Sequence, residues 1–310
     1  MFYCPELGRF LSRDMIIRPG ENPYTYVRND PLTYVDPLGL WEEGGHFYTT
    51  YMVAIAAGVD RETAYELAYY SQLPDEIGEM DAMHAILDWG DFSSIPISER
   101  DAFRAGVAEV LHSLHGGDVD KRRGCLSGLL KNWKAHGLTP WQRGMIVHAF
   151  GDAFAHTYTE SGTVKAFRVP WGHGHRNVAD YVGASDRLAT QIFGGRSPDK
   201  IGQNLDTYQQ YVNALFEAFG GNLKDDAQVR MRDQIKDNAV KTYKDPPKDE
   251  NQSMEDYARD WPFGLPGEYR PHKRVSPHTR QGKLPVKGPL PTLTDVAKLL
   301  DLIKKECGCK

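Results

Sequence analysis

The chain has 310 residues, 40 % of them hydrophobic and 25 % charged, which is globular composition, excludes wholesale disorder and is long enough for one large or two modest domains. No apolar run approaches the roughly 18 residues of a membrane span. The net charge of −5 is uneven: residues 1–40 hold 4 Lys/Arg and 5 Asp/Glu, residues 41–270 hold 24 and 34, and residues 271–310 hold 9 and 3. An acidic middle is a poor match for a polyanion and suits a cation; the basic tail is either a solvated surface or an anionic-surface contact. The opening MFYCPELGRF lacks the basic-then-apolar layout of a secretory signal, so export is expected to rest on another machine. The four cysteines, Cys4, Cys125, Cys307 and Cys309, are too few and scattered to predict a disulfide framework.

Residues 1–40 read as turns and short strands. Pro5, Pro19, Pro23, Pro31 and Pro37 punctuate them, and Tyr24, Tyr26, Val27, Tyr34 and Val35 supply β propensity between. Such a segment buries no core alone. Residues 41–240 are helical in pattern. Asp60 precedes a stretch with Thr63, Leu67 and Tyr70 on one face. Ser98 precedes a stretch with Phe103, Val107 and Val110/Leu111 at helical spacing, running on through His115. Thr139-Pro140 is an N-cap and first-turn pair opening the helix that carries His148. Further helices are expected near 177–193, 199–219 and 226–240, with no alternating strand and no fixed-period repeat. Residues 241–290, rich in Pro and Lys, read as a linker or wrapping segment. Thr294 is expected to cap a short amphipathic last helix. The fold class is thus all-α behind an irregular or β leader, with zones at 1–40, 41–240 and 241–310.

Eleven histidines are present, and the sharpest unit is His148-Ala-Phe-Gly-Asp152-Ala-Phe-Ala-His156. Positions i, i+4 and i+8 share one helix face, and their neighbours, from Met145 to Ala155, are apolar nearly all round, which predicts burial. Two imidazoles and a carboxylate on one buried stripe need a partner against desolvation. A divalent metal satisfies all three; a hydrogen-bonded His–Asp–His ladder is the alternative. His46, Asp75, His84, His173, His175 and Asp180 are further candidate ligands, enough for one to three zinc ions. His112, His115 and His136 read as surface or packing histidines, with His112 and His115 a reserve pair.

Two resemblances sharpen this reading. Tyr3-Cys4-Pro5-Glu6-Leu7-Gly8-Arg9-Phe10-Leu11-Ser12-Arg13-Asp14, Asn22-Pro23-Tyr24-Thr25-Tyr26-Val27-Arg28-Asn29-Asp30-Pro31 and Asp36-Pro37-Leu38-Gly39-Leu40 resemble the end of the Rhs-repeat core. That resemblance implies a C-terminal toxin held in the Rhs shell, delivered into a neighbouring cell by a type VI or similar apparatus, and restrained in the producer's cytoplasm by a cognate immunity protein. It also implies aspartyl self-cleavage after Leu40, with Asp14 and Asp36 as the acidic residues and Trp41 as the new N-terminus.

The order Trp41, His46, Asp75, His84, His148, Asp152, His156, His173/His175, Asp180 is similar to the zinc-dependent phospholipase C and zinc nuclease superfamily, which implies an all-α fold and phosphodiester hydrolysis. By this carry-over Trp41, His46 and Asp152 share one zinc. Asp75, His84, His148 and Asp152 hold a second, and His156, His173 or His175 and Asp180 a third. Asp75 would position or deprotonate water. Phe47, Tyr48, Tyr51, Tyr69, Tyr70 and Trp171 are core residues or the lining of a lipid slot or base-stacking surface. Phospholipid head-group cleavage is the favoured expectation. The alternatives are a nuclease and a non-enzymatic toxin that binds a target or inserts in a membrane.

Overall fold

The computed structural model describes residues 3–4, 9–10, 44–82, 85, 92–160, 162–168, 201, 204–244, 254, 257–259, 261 and 290–308. Backbone packing divides the chain into two units, Met1–Gly39 with Gly174–Gly195, and Leu40–His173 with Arg196–Lys310. In the first unit, β1 (Tyr3–Cys4) pairs antiparallel with β2 (Arg9–Phe10), Tyr3 opposite Phe10. The expected cleavage residues Asp14, Asp36, Leu40 and Trp41 lie outside the described residues, as do His84, Trp171, His173, His175, Asp180 and the helix expected near 177–193.

The second unit is mostly helical among the described residues. A five-residue π-helical turn, Gly44–Tyr48, runs directly into α1 (Thr49–Ala56). Helix α2 (Arg61–Glu76) starts as expected at Asp60, whose Oδ1 accepts from Thr63 N–H at 3.0 Å. Helix α3 (Ile97–Gly106) starts at Pro96 rather than at Ser98, and it gives way to a second π-turn, Val107–Leu111. The expected continuation through His115 stops because Ser113 takes a left-handed backbone (φ 52°), which a helix cannot accommodate. Helix α4 (Val119–Lys131) is capped by Asp118. Helix α5 (Pro140–Ala155) has Pro140 in its first turn, and the Gln142 side chain accepts from the Thr139 N–H at 2.9 Å.

The absence of strands was a wrong expectation. Directly after α5, β3 (Thr157–Glu160) and β4 (Thr163–Ala166) form an antiparallel hairpin around Gly162, whose φ is 80°. The β-rich residues on either side of a Ser-Gly turn carry its signal. Helices α6 (Leu205–Ala218), α7 (Asp226–Lys244) and α8 (Leu293–Cys307) complete the described unit. Thr292, not Thr294, caps α8, because Asp295 three residues on returns the hydrogen bond in a capping box. No helix among the described residues is long and apolar enough to cross a membrane. A disulfide joins Cys125 on α4 to Cys307 on α8, Cα atoms 5.5 Å apart, a cross-link that cysteine number and spacing did not predict.

The core is built around α5, which is buried from Arg143 to Ala155. It packs along α2 and is flanked by α4, α6 and both π-turns. The α2–α5 contact depends on Gly144: a Cβ there would overlap Tyr70 Cβ and approach the Leu67 carbonyl oxygen to 2.9 Å. Phe47, Tyr48, Tyr51, Tyr69 and Tyr70 are all buried in this core, so they are packing residues rather than the lining of an open slot. Gly144→Ala forces these helices apart and should cost about 1–3 kcal/mol, seen as a lowered midpoint of thermal or urea unfolding. An unchanged midpoint would contradict the close approach.

Candidate metal centre

His148 and Asp152 lie one turn apart on α5, and both are fully buried. His156, expected on the same helical stripe, is instead the residue that ends the helix, its N–H donating to the Asp152 carbonyl at 2.8 Å. His46 comes from the first π-turn and Asp75 from the last turn of α2. His112 follows the second π-turn. π-helical turns recur where a functional side chain is re-aimed, and here each of the two delivers an imidazole. His112, expected at the surface or in packing and otherwise as a reserve ligand, is completely buried in the centre. Its signal was the largely apolar stretch before it, Val107, Ala108, Val110 and Leu111 around a single Glu109. His115 is half-buried, with its Nδ1 accepting from Gly117 N–H at 2.9 Å, and His136 is exposed.

Asp152 is the hub. Its Oδ1 lies 3.1 Å from His46 Nε2, and its Oδ2 lies 3.1 Å from His112 Nδ1, 3.3 Å from His148 Nε2 and 3.7 Å from His156 Nδ1. Asp75 sits across from it, its oxygens 3.7 Å from His148 Nε2, 3.8 Å from His46 Nε2 and 4.0 Å from His112 Nδ1. The His46 ring stacks on His148 with centroids 4.2 Å apart. Gly151 makes the room, since a Cβ there would meet His46 Cε1 at 3.3 Å.

Backbone carbonyls orient the rings. The nitrogens of His148, His112 and His156 that face away from the centre or along the backbone meet carbonyl oxygens: His148 Nδ1 that of Ser71 at 2.8 Å, His112 Nε2 that of Met80 at 2.7 Å, and His156 Nδ1 that of His112 at 2.6 Å. A carbonyl only accepts, so each of these nitrogens carries the proton. In the neutral rings, His148 Nε2 and His112 Nδ1 are therefore lone pairs, and they face each other at 3.1 Å. Two lone pairs at that distance, with Asp152 Oδ2 beside both, require either a proton or a cation between them.

The electrostatics agree. Burial pushes the His148 imidazolium down to about 3, so His148 stays neutral. Burial also acts against charging His112, but the hydrogen bond and charge of Asp152, with the Met80 carbonyl, outweigh it and raise His112 above its ordinary value. Asp152 is buried, which favours its neutral form, yet the surrounding imidazoles hold it well below the usual carboxylate range. Of the two facing rings, His112 is thus the one that takes up a proton more readily, beside ionised Asp152.

The supports of the π-turns explain how these side chains are held. Thr49 Oγ1 donates to the Gly44 carbonyl at 2.7 Å, and Tyr208 of α6 reaches the same hydroxyl at 2.7 Å, tying the first π-turn to α6. Arg122 of α4 donates to the Glu109 carbonyl at 2.7 Å inside the second π-turn. Ser113 Oγ donates to the Ala149 carbonyl at 2.8 Å, offsetting the cost, of order 1 kcal/mol, of its left-handed backbone.

Two overlapping sets of ligand atoms each lie within 4.8 Å of one another: His46, His148 and Asp152, and Asp75, His112 and His148. Imidazole nitrogen with carboxylate oxygen is a donor set of zinc, and carbonyl-anchored rings are the usual outer layer of such sites. The structure therefore brings together His46, Asp75, His148 and Asp152 of the expected ligands, adds His112, and places His156 alongside. Of the first five only Asp75 is not fully buried, its side chain 11 % exposed, and its two carboxylate oxygens are buried like the rest of the centre.

The pH dependence of the metal-free protein follows. His148 titrates near 3 folded and near 6.5 unfolded, and His115 is pushed by burial to about 4. Below pH 6.5 the unfolded chain takes up protons that these sites refuse, so both groups cost stability from pH 6.5 down to about 4. His112, raised, acts oppositely: its contribution is full below pH 6.5 and is lost as the pH rises through its folded value. Thermal unfolding of chelator-treated protein should show a midpoint falling between pH 6.5 and 4, with a shallower fall in His115→Asn. A variant slope equal to the parent's would contradict the assignment to His115.

A family model described as a family of unknown function, DUF6765, matches residues 43–106, the stretch that contributes His46 and Asp75. No curated protein and no solved structure matches the chain.

Proposed function

We propose that the helical domain is a zinc-dependent phosphodiester hydrolase of the phospholipase C type, delivered as the toxin of an Rhs effector and restrained by an immunity protein. The observation that carries the enzymatic reading is the pair of facing lone pairs on His112 and His148, beside Asp152 and Asp75. The Rhs-like motifs of residues 1–40 support the delivery route. His46, His112, His148 and Asp152 would hold the metal, with Asp75 completing the set. A zinc ion there supplies Lewis acidity toward a phosphoryl oxygen and makes water acidic near neutrality.

The chain's own residues do the rest. Ser71, Met80 and His112 present carbonyls that keep three imidazoles in one tautomer, so the donor atoms are set before a substrate arrives. Asp75, its oxygens 3.7–4.0 Å from three of the imidazoles, is the group proposed to accept a proton from attacking water. The buried walls around His46 and His148 exclude bulk water and strengthen each charge interaction inside. Phospholipid is favoured over nucleic acid by the acidic excess of residues 41–270, 34 Asp/Glu against 24 Lys/Arg, which repels an extended polyanion but tolerates a single head group.

Zinc takes the His112 lone pair that a proton otherwise occupies, so titration calorimetry in buffers of different ionisation enthalpy should report proton release on zinc binding that grows as the pH falls through the imidazole range. His148→Ala and His112→Ala should each weaken zinc binding by about 100-fold or more. Zinc-loaded protein should release phosphorylated head groups from phospholipid vesicles and leave DNA and RNA intact, and Asp75→Asn should lower kcat by 10²–10⁴-fold. Cleavage of nucleic acid instead would reassign the substrate, and full activity in metal-free protein would overturn the reading.

A further inference from the structure

The Cys125–Cys307 disulfide has no part in the chemistry above, yet it joins two helices that grip the turn presenting His112. On one side, α8 rests on the joint between α3 and the second π-turn: Val296, Leu299, Leu300, Ile303 and Cys307 are buried. A Cβ on Gly106 would meet Leu300 Cδ1 at 3.1 Å. On the other side, Arg122, one turn before Cys125 on α4, donates to the Glu109 carbonyl at 2.7 Å and reaches the Val110 carbonyl at 3.4 Å. His112 follows at once, its N–H donating to the Val107 carbonyl at 3.0 Å.

We propose that the Cys125–Cys307 disulfide is a redox latch that clamps α4 and α8 around the turn Val107–Leu111, so that His112 is held in place only after the chain has entered an oxidising compartment. The cross-link closes a loop of sequence separation 182, long enough to constrain the unfolded chain strongly. The reaction is ordinary thiol–disulfide exchange. The Cys125 thiolate attacks a donor disulfide and releases one thiolate, and the Cys307 thiolate then attacks the Cys125 sulfur of the mixed disulfide and releases the second. Two chain thiols are oxidised, and one donor disulfide is reduced to two thiols. In a reducing cytosol the latch is open; in a periplasm-like or extracellular setting it closes.

The test is read on metal-free protein, so its failure is separable from failure of the zinc reading. The full chain is equilibrated with oxidised glutathione or with a phosphine reductant, and peptide mapping identifies the linked cysteines. Oxidised protein should show a Cys125–Cys307 cross-linked peptide, also in Cys309→Ser. Reduction, or Cys307→Ser, should lower the unfolding midpoint by roughly 5–15 °C and speed amide exchange in residues 107–112 by tenfold or more, while residues 61–70 of α2 keep their protection. Free thiols at both positions after oxidation, a link through Cys309 instead, or equal exchange at 107–112 in oxidised and reduced protein would each overturn the latch. Should Cys307→Ser fail to fold, the reduced parent chain carries the same comparison.

Discussion

Asp152 sits at zero exposure among four imidazoles, and the rest of the second unit is arranged around its charge. A buried carboxylate is tolerated only with partners whose own polar atoms are satisfied. That requirement extends outward through the rings. Three of them are anchored by a nitrogen on a backbone carbonyl, of Ser71, Met80 or His112. Those carbonyls come from three different places in the chain, so the centre is coupled to the relative positions of α2, the segment after it, and the strained link after the second π-turn.

The helices meet that demand through close approaches and local irregularity rather than through regular packing alone. Gly144 lets α5 lie against α2 near Leu67 and Tyr70, and Gly151 leaves the volume that His46 occupies. Pro74 lies in the last turn of α2, where it has no N–H for the preceding turn. The Ser71 carbonyl of that turn serves His148, and Asp75 follows the proline directly. The two π-turns and the left-handed Ser113 are departures from ideal geometry, and all three sit next to a member of the cluster. Strain of this kind persists where surrounding contacts over-determine it. Here Arg122, Tyr208 with Thr49, and the Ser113 hydroxyl provide those contacts.

Arginine 123 shows the same economy at the other end of α5. It donates to the Ala153 carbonyl at 2.9 Å and lies over the Phe154 ring at 4.0 Å, supporting the helix terminus from which His156 departs. Helix α4 therefore braces both the second π-turn and the end of α5, and the disulfide ties that brace to α8.

The mostly helical character of the described residues within 41–240, the caps at Asp60 and Thr139, the burial of α5 and the pairing of His148 with Asp152 were legible in the sequence. They depend on neighbours three or four positions apart, which a linear pattern records. The hairpin after α5 was written in the same local code and was missed, as was the capping box at Thr292. His112 and the Cys125–Cys307 link belong to a different category. Whether an imidazole in Leu111-His112-Ser113 faces solvent or Asp152 depends on a helix that ends in a π-turn and on a carbonyl 32 residues earlier in the chain. Whether two cysteines separated by 182 positions meet depends on how α8 returns to α4. Sequence by itself determined which groups were available and which local elements would carry them. Only tertiary packing decided which lone pairs face one another, because that is set by distances between segments that no spacing in the chain encodes.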